Sequence, residues 1–267
     1  MPELPDVEHF RRTFARVATG RQIDEVLVTD HGILRDVTAE ELDRALRGRR
    51  FEEPDRRGKW LIARTDEPAL LLHFGMTGDL QWAPDPIGRH PHDRVIVVLD
   101  RGEVRYRNMR KLGGVWLASG PIEVDRLLSR LGPDALDVGR QEFLRRMDAR
   151  RGRVKAVLLD QSFLAGIGNL LADEALWDAR IHPARRIGDL TTDERATLFR
   201  SLRSVLRHTV DRYPEGFRTR WNAVRGRPAA RCPRCRTGLA RTVVGGRTTY
   251  LCPSCQPLRP ATSSSGR

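Results

Sequence analysis

Three groups of residues have the types and spacing to do chemistry. Loss of Met1 would leave a secondary α-amine on Pro2, far less protonated at neutral pH than a lysine side chain. Such an amine can add to an aldehyde-like sugar carbon and form an iminium ion directly, and Glu3 beside it can give or take a proton. Competing amines are few, since the chain holds only Lys59, Lys111 and Lys155 against 45 arginines. The second group is Cys232-Pro-Arg-Cys235 and Cys252-Pro-Ser-Cys255, two C-x2-C pairs separated by sixteen residues. Each pair forms a tight knuckle that aims both sulfurs at one ion. Four cysteines are coordinatively closed, which suits structural zinc and leaves no open position for water. The third group is Gly166-Ile167-Gly168-Asn169, where glycines let the backbone approach a phosphate and Asn169 opens a helix whose dipole favours an anion. Each group also has a plainer reading: an ordinary terminal proline with a solvated Glu3, a pair of disulfides, and a simple helix cap.

Charge narrows the choice of partner. A formal charge of +13 and a pI near 10.8 imply an acidic partner, nucleic acid first and an anionic membrane surface second. Residues 216–267 hold eleven arginines and no Asp or Glu, whereas Asp36 to Asp43 is acid-rich. A localised cationic surface fits phosphate binding better than general solubility does. No apolar run approaches the ~20 residues of a membrane span, and the acidic, proline-broken start is unlike a secretory signal. A cytoplasmic, nucleoid-associated location is therefore expected, and there disulfides give way to zinc.

Elements must hold these groups in place. Val7, Phe10, Phe14 and Val17 fall at helical spacing and predict one amphipathic helix directly after Pro2-Glu3. From Ile23 to Leu117, short apolar or alternating runs such as Glu25 to Val28, Trp60 to Ala63, Leu70 to Phe74 and Val95 to Leu99 predict a β-sandwich or barrel. A helix at about Ala39 to Leu46 interrupts it. Ser119-Gly120-Pro121 and Leu131-Gly132-Pro133 bracket a connection. Helices are then predicted over 141–149, 154–159, 170–179 and 192–213, the last capped by Thr191 with Glu194 in its first turn. Lys155 reads as a flank of this helical region. Gly245-Gly246 is the predicted turn of a hairpin between the cysteine pairs.

Pro2-Glu3-Leu4-Pro5-Asp6-Val7-Glu8, with a four-cysteine ribbon at the other end, resembles the formamidopyrimidine-DNA glycosylase and endonuclease VIII family; Leu4-Pro5 sides with the formamidopyrimidine branch. Further matches follow in order: Arg57-Gly58-Lys59-Trp60-Leu61, His73-Phe74-Gly75-Met76-Thr77-Gly78, Leu131-Gly132-Pro133, Gly166 to Asn169 with Ala172 to Leu176 and Ile181-His182-Pro183, and Gly246-Arg247-Thr248-Thr249-Tyr250. The resemblance implies an α+β multidomain protein. Its parts are a catalytic β-sandwich with flanking helices (1–118), a linker (119–135), a helix-two-turn-helix domain (136–225), a zinc ribbon (226–257) and a disordered tail (258–267). It implies catalysis by Pro2, Glu3 and Lys59, with Glu8 assisting Glu3. DNA contact falls to His73, Met76, Arg110, Leu112, Asn169 and Arg247, and one structural Zn2+ to Cys232, Cys235, Cys252 and Cys255. Lys59, His73, Asn169 and Arg247 would touch phosphates, while Met76 would fill the gap left by an everted nucleotide. Alone, Lys59 and Arg247 would read as solvated charges, His73 as a core histidine and Met76 as core.

The implied reaction is removal of oxidised bases of the formamidopyrimidine and 8-oxoguanine class from damaged double-stranded DNA, in a cleft between two domains. A Pro2 Schiff base forms and strand cleavage follows by β,δ-elimination; the enzyme is expected to be a monomer with no nucleotide cofactor and no membrane contact. Departures from the pattern temper this. Asp6 replaces a glutamate, and Asn108-Met109-Arg110-Lys111-Leu112-Gly113 stands for the branch's Asp-Pro-Arg-Arg-Phe-Gly, so an apolar wedge survives without a stacking face. The stretch from Arg212 to Pro228 is short for a loop that covers 8-oxoguanine. The alternatives are an endonuclease VIII-like enzyme for oxidised pyrimidines or abasic sites, and a DNA-binding zinc-ribbon protein without catalysis.

Overall fold

Capping chemistry begins the fold. In the computed structural model, which describes residues 2–85, 87–217 and 219–258, Glu3 and Asp6 cap helix α1 (Leu4–Ala18) reciprocally. The Glu3 amide donates to Asp6 Oδ2 at 2.7 Å and the Glu3 carboxylate accepts from the Asp6 amide, a capping box that satisfies two otherwise unpaired donors. Asp6, shorter than the glutamate of the family pattern, thus still does the work of a first-turn acid. Val7, Phe10, Phe14 and Val17 form the buried face, as their spacing predicts.

Eight strands follow: β1 (Ile23–Val28), β2 (Asp55–Arg57), β3 (Trp60–Arg64), β4 (Ala69–His73), β5 (Gly78–Ala83), β6 (Asp93–Leu99), β7 (Glu103–Asn108) and β8 (Gly114–Ala118), with helix α2 (Ala39–Leu46) between β1 and β2. They pair as two antiparallel four-stranded sheets, ordered β1-β6-β7-β5 and β2-β3-β4-β8. The arrangement is a sandwich and not a closed barrel. Helix α1 packs on β2, β3 and β5, placing Phe10 4.5 Å from Phe74 and Phe14 4.8 Å from Phe51, centroid to centroid.

The stretch expected to be a connection holds a helix instead, α3 (Pro121–Leu128). It packs on β4 and β8 and buries Val124 and Leu128. Pro121 sits in its first turn, where a missing N–H costs nothing. The Gly-Pro pairs therefore mark element ends, and the first compact unit runs to Arg130.

The second compact unit begins at Leu131. It contains α4 (Arg140–Asp148), α5 (Val154–Leu159), α6 (Asn169–Asp178), α7 (Thr192–Asp211), β9 (Ala240–Val244) and β10 (Arg247–Leu251), each helix within two residues of expectation. Thr191 and Glu194 form the predicted capping box of α7. Arg247 pairs with Val244 across Gly245-Gly246, whose φ values of 60° and 71° are those of a type I′ hairpin turn that only glycine-like residues adopt easily. Met1 and residues 259–267 of the tail expected over 258–267 lie outside the described residues.

Candidate active site and nucleic-acid interface

Glu3 is 1% exposed at the start of α1, next to the half-buried Pro2. Two turns of helix fix what lies below it. Glu8, also buried, accepts from Arg11 at 3.0 and 3.1 Å, from Arg12 at 3.0 Å and from Arg56 of β2 at 3.1 Å. Burial pushes the Glu8 carboxyl up, but the bonds from Arg11 and Arg12 and the charge of Arg56 outweigh it and hold the group below the usual carboxylate range. Glu8 is thus a fixed anion with no proton to lend Glu3. Its geometry gives it another task, because Arg56 also donates to Gly58 O at 3.0 Å. That carbonyl belongs to the two-residue β2–β3 turn that carries Lys59. Glu8 and Arg56 therefore tie the helix bearing Glu3 to the hairpin bearing Lys59.

His73 ends β4 opposite Trp60, 5.0 Å from its ring. Burial, and then the positive charge of Lys59, lower the His73 pKa to about 4. In the free protein it is therefore neutral at working pH and can meet a phosphate as an N–H donor.

The loops carrying Met76 and Arg110 are joined around Asn108. Buried Asn108 donates to Phe74 O at 3.2 Å and to Tyr106 Oη at 2.8 Å, while its Oδ1 accepts from Thr77 Oγ1 at 3.3 Å and from the Lys111 amide at 2.9 Å. The Arg110 amide donates to Thr77 Oγ1 at 3.1 Å. Gly75 has φ of 60°, and a Cβ there would lie 2.7 Å from Leu112 O, so the two loops touch backbone to backbone. The result is an exposed tip bearing Met76, Met109, Arg110 and Leu112, whose three apolar side chains are 37%, 54% and 52% exposed. Met109 was not among the expected contacts. A large apolar residue beside a predicted wedge is the signal that could have found it. Lys111 points elsewhere, to Asp30 at 3.0 Å.

In the second unit, Asn169 opens α6 and donates to Thr248 O at 3.0 Å, which sets it beside Arg247, the exposed first residue of β10. Beneath them lies a group that sequence reasoning missed. Lys155 is not a surface flank: it is fully buried, 2.6 Å from Asp173 Oδ1, and donates to Thr249 Oγ1 at 2.7 Å. Asp173 Oδ2 accepts from Arg225 at 2.8 Å and from the Tyr250 amide at 3.3 Å. This ionic cluster joins α5, α6, the 219–225 turns and the strand bearing Arg247. A rare lysine in an arginine-rich chain was the only signal for it. The same turns bury Trp221, stacked 5.2 Å from Trp177, and hold Asn222 on Glu174 at 2.8 Å. Trp221, Asn222 and Arg225 thus anchor this stretch to α6, while Arg220 and Ala223 beside them stay exposed.

The four cysteine sulfurs lie within 4.8 Å of one another. Three pairs are 3.4, 3.4 and 3.9 Å apart. A tetrahedral zinc with Zn–S of about 2.3 Å implies S···S of about 3.8 Å, whereas a disulfide needs about 2.05 Å. The donor set fits one structural zinc ion. Trp177 Nε1 approaches Cys232 Sγ at 3.4 Å, and the Arg234 guanidinium sits 4.3 Å above the Trp177 ring, which docks the ribbon on α6.

Three family models match the chain in order: the formamidopyrimidine-DNA glycosylase N-terminal domain over residues 1–115, its H2TH domain over 131–220, and a zinc finger found in FPG and IleRS over 231–258. The formamidopyrimidine-DNA glycosylase of Thermomicrobium roseum is 38% identical, covering 97% of this chain and 100% of that protein. The Bacillus cereus enzyme is 35% identical over 96% of this chain and 99% of its own length. Among solved structures, Lactococcus lactis formamidopyrimidine-DNA glycosylase, non-covalently bound to DNA containing an abasic site, superposes with a TM-score of 0.88 at 28% identity, covering 96% of this chain and 99% of that one. A Lactococcus lactis variant with DNA containing a formamidopyrimidine lesion gives the same TM-score and identity over 96% and 100%. Matches this long and this complete, on a sandwich, a helical domain and a four-sulfur ribbon in the same order, settle the relationship: the chain belongs to the formamidopyrimidine-DNA glycosylase family.

Proposed function

We propose that Pro2 and Glu3 carry the chemistry of a base-excision-repair DNA glycosylase and abasic-site lyase that removes oxidised bases from duplex DNA in the cytoplasm, at the nucleoid. The observation that supports this most is the position of Pro2, directly before a helix capped by a buried Glu3. The positive end of the α1 dipole disfavours an ammonium there, so a Pro2 amine freed of Met1 stays nucleophilic. The amine attacks C1′ of the sugar, and the base leaves with the glycosidic electron pair and takes up a proton. Glu3 takes the proton released from the Pro2 nitrogen and passes it to the ring oxygen, the ring opens and an iminium forms. The iminium acidifies the C2′ hydrogen. Loss of that proton expels the 3′ phosphate, and a second elimination expels the 5′ phosphate.

The remaining residues position DNA. Lys59 sits on a turn braced by Arg56 and contributes to elimination at the sugar. Met76, Arg110 and Leu112 hold the gap opened in the stack, and Asn169, Arg247 and neutral His73 hold phosphates. Zinc, closed by four sulfurs, keeps β10 and Arg247 in place and breaks no bond. The abasic-site and formamidopyrimidine DNA held by the Lactococcus lactis relatives supports the same substrate here.

Borohydride trapping on abasic duplex DNA tests the assignment. A covalent adduct on the N-terminal peptide is expected, and Pro2→Gly should trap at least tenfold less; equal trapping, or an adduct elsewhere, refutes the nucleophile. The burial of Trp221 within the short Arg212 to Pro228 stretch supports a second reading, in which oxidised pyrimidines are also released. Rates on 8-oxoguanine, formamidopyrimidine, thymine glycol and dihydrouracil opposite each base decide between them.

A further inference from the structure

Two surface grooves are lined by arginines, and they differ in one respect. The groove of about 720 Å³ beside α2 is walled by Arg44, Arg47, Arg49 and Arg50. Two of its four guanidinium groups are answered by carboxylates: Arg47 pairs with Asp43 and Glu25, and Arg49 with Asp66 and Glu67. The groove of about 670 Å³ between α4 and α7 is walled by Arg140, Arg200, Arg203 and Arg207 over the Phe199 ring. Among the described residues none of these four forms an ion pair. Arg200 bonds only Thr197, and Arg203 bonds Val138 O at 3.0 Å with its guanidinium 5.8 Å from the Phe199 ring. Glu142, the acid in the first turn of α4, is occupied by Arg145 and Arg146. Four cations thus converge on one concavity with no protein anion to offset their mutual repulsion.

The groove is separate from the Asn169 and Arg247 surface. Arg200, Arg203 and Arg207 recur at helical spacing on one face of α7 and span about 10 Å at 1.5 Å per residue. The opposite face, with Ser201, Val205 and Leu198, is buried, and α7 packs on α6. Asn169, at the start of α6, and Arg247 line neither this groove nor the small cleft shared by Glu174, Trp177 and Val205.

We infer that the α4–α7 groove is a second, sequence-independent binding face for the phosphate backbone of duplex DNA, used while the Asn169 and Arg247 face holds another segment. Arginine forks match phosphate oxygens bidentately and stay charged at every usable pH. A fixed row about 10 Å long reaches successive phosphates, whereas an acidic peptide has no need of such a row. A molecule with two such faces can pass from one DNA segment to another without release.

The test uses the full zinc-loaded chain, one duplex immobilised on beads and a second, fluorescent duplex, with the protein shown to be monomeric by light scattering. Wild type should retain the fluorescent duplex. The variant R140Q/R200Q/R207Q should retain at least tenfold less, with unchanged melting temperature and unchanged cleavage of a short abasic duplex, and R140K/R200K/R207K should restore retention. Each lost phosphate contact should also lower the salt slope of second-duplex binding by about 0.9. Equal retention by the glutamine variant, no bridging by wild type, or loss of short-duplex cleavage in the variant overturns the proposal. Tighter binding of polyglutamate than of DNA at equal charge would give the groove to an acidic polypeptide instead.

Discussion

His73 shows how one residue's setting decides what it can do. A histidine beside a lysine on a DNA-binding surface reads as a cation, yet burial and Lys59 hold its pKa at about 4. The group is depressed below its ordinary 6.5, so the unfolded chain binds the extra proton between those values. The stability this setting confers is complete above about 6.5 and is lost as pH falls toward 4, by on the order of 3 kcal/mol at about 1.4 kcal/mol per unit. Denaturation at stepped pH should show that loss in wild type and much less of it in His73→Gln. Lys59→Met removes a repelling positive charge, so the His73 pKa should rise toward 6.5, which an NMR titration reads directly; an unmoved His73 resonance would show that burial alone sets it.

At the scale of elements, two non-local ties set where the site residues stand. Asn108 makes four hydrogen bonds to the β4–β5 loop, to Tyr106 and to its own loop. Asn108→Ala strands those groups, at about 1–3 kcal/mol, and frees the Met76 loop from the Arg110 loop. Affinity for duplex with an abasic analogue should fall more than affinity for undamaged duplex, because only the former needs the wedge assembled. The second tie is Lys155–Asp173–Arg225. Lys155→Met leaves Asp173 half-neutralised in a buried site, and breaking a buried pair costs about 3–5 kcal/mol. Thermal unfolding should show the loss in the second compact unit, and K155M/D173N should recover part of it, since it removes the orphaned charge. A variant as stable as wild type would mean that the cluster is solvated in solution.

For the whole molecule, the zinc ribbon tests how independent the units are. Structural zinc sites fold with their metal, so chelation should release β9 and β10, displace Arg247 and shift tryptophan emission, because Trp177 lies against Cys232 and Trp221. The unit from Met1 to Arg130 buries its own sandwich core and should keep its melting transition. DNA affinity should drop at least tenfold; full affinity after chelation would remove the ribbon from the interface.

The chain by itself determined what depends on near neighbours. Helical spacing located α1, α2 and α4 to α7, the C-x2-C pairs located the zinc site, Gly245-Gly246 located the turn beside Arg247, and Pro2-Glu3 placed an amine beside an acid. Those signals lie within a few residues, where backbone geometry fixes distance. Only the tertiary structure decided what depends on burial. Glu8 became a fixed anion through Arg56, 48 residues away, Asn108 joined two loops through Phe74, 34 residues away, and Lys155 was buried against Thr249, 94 residues away. A charged or polar side chain can leave water only where partners replace its hydration, and no local pattern says which distant residues those will be.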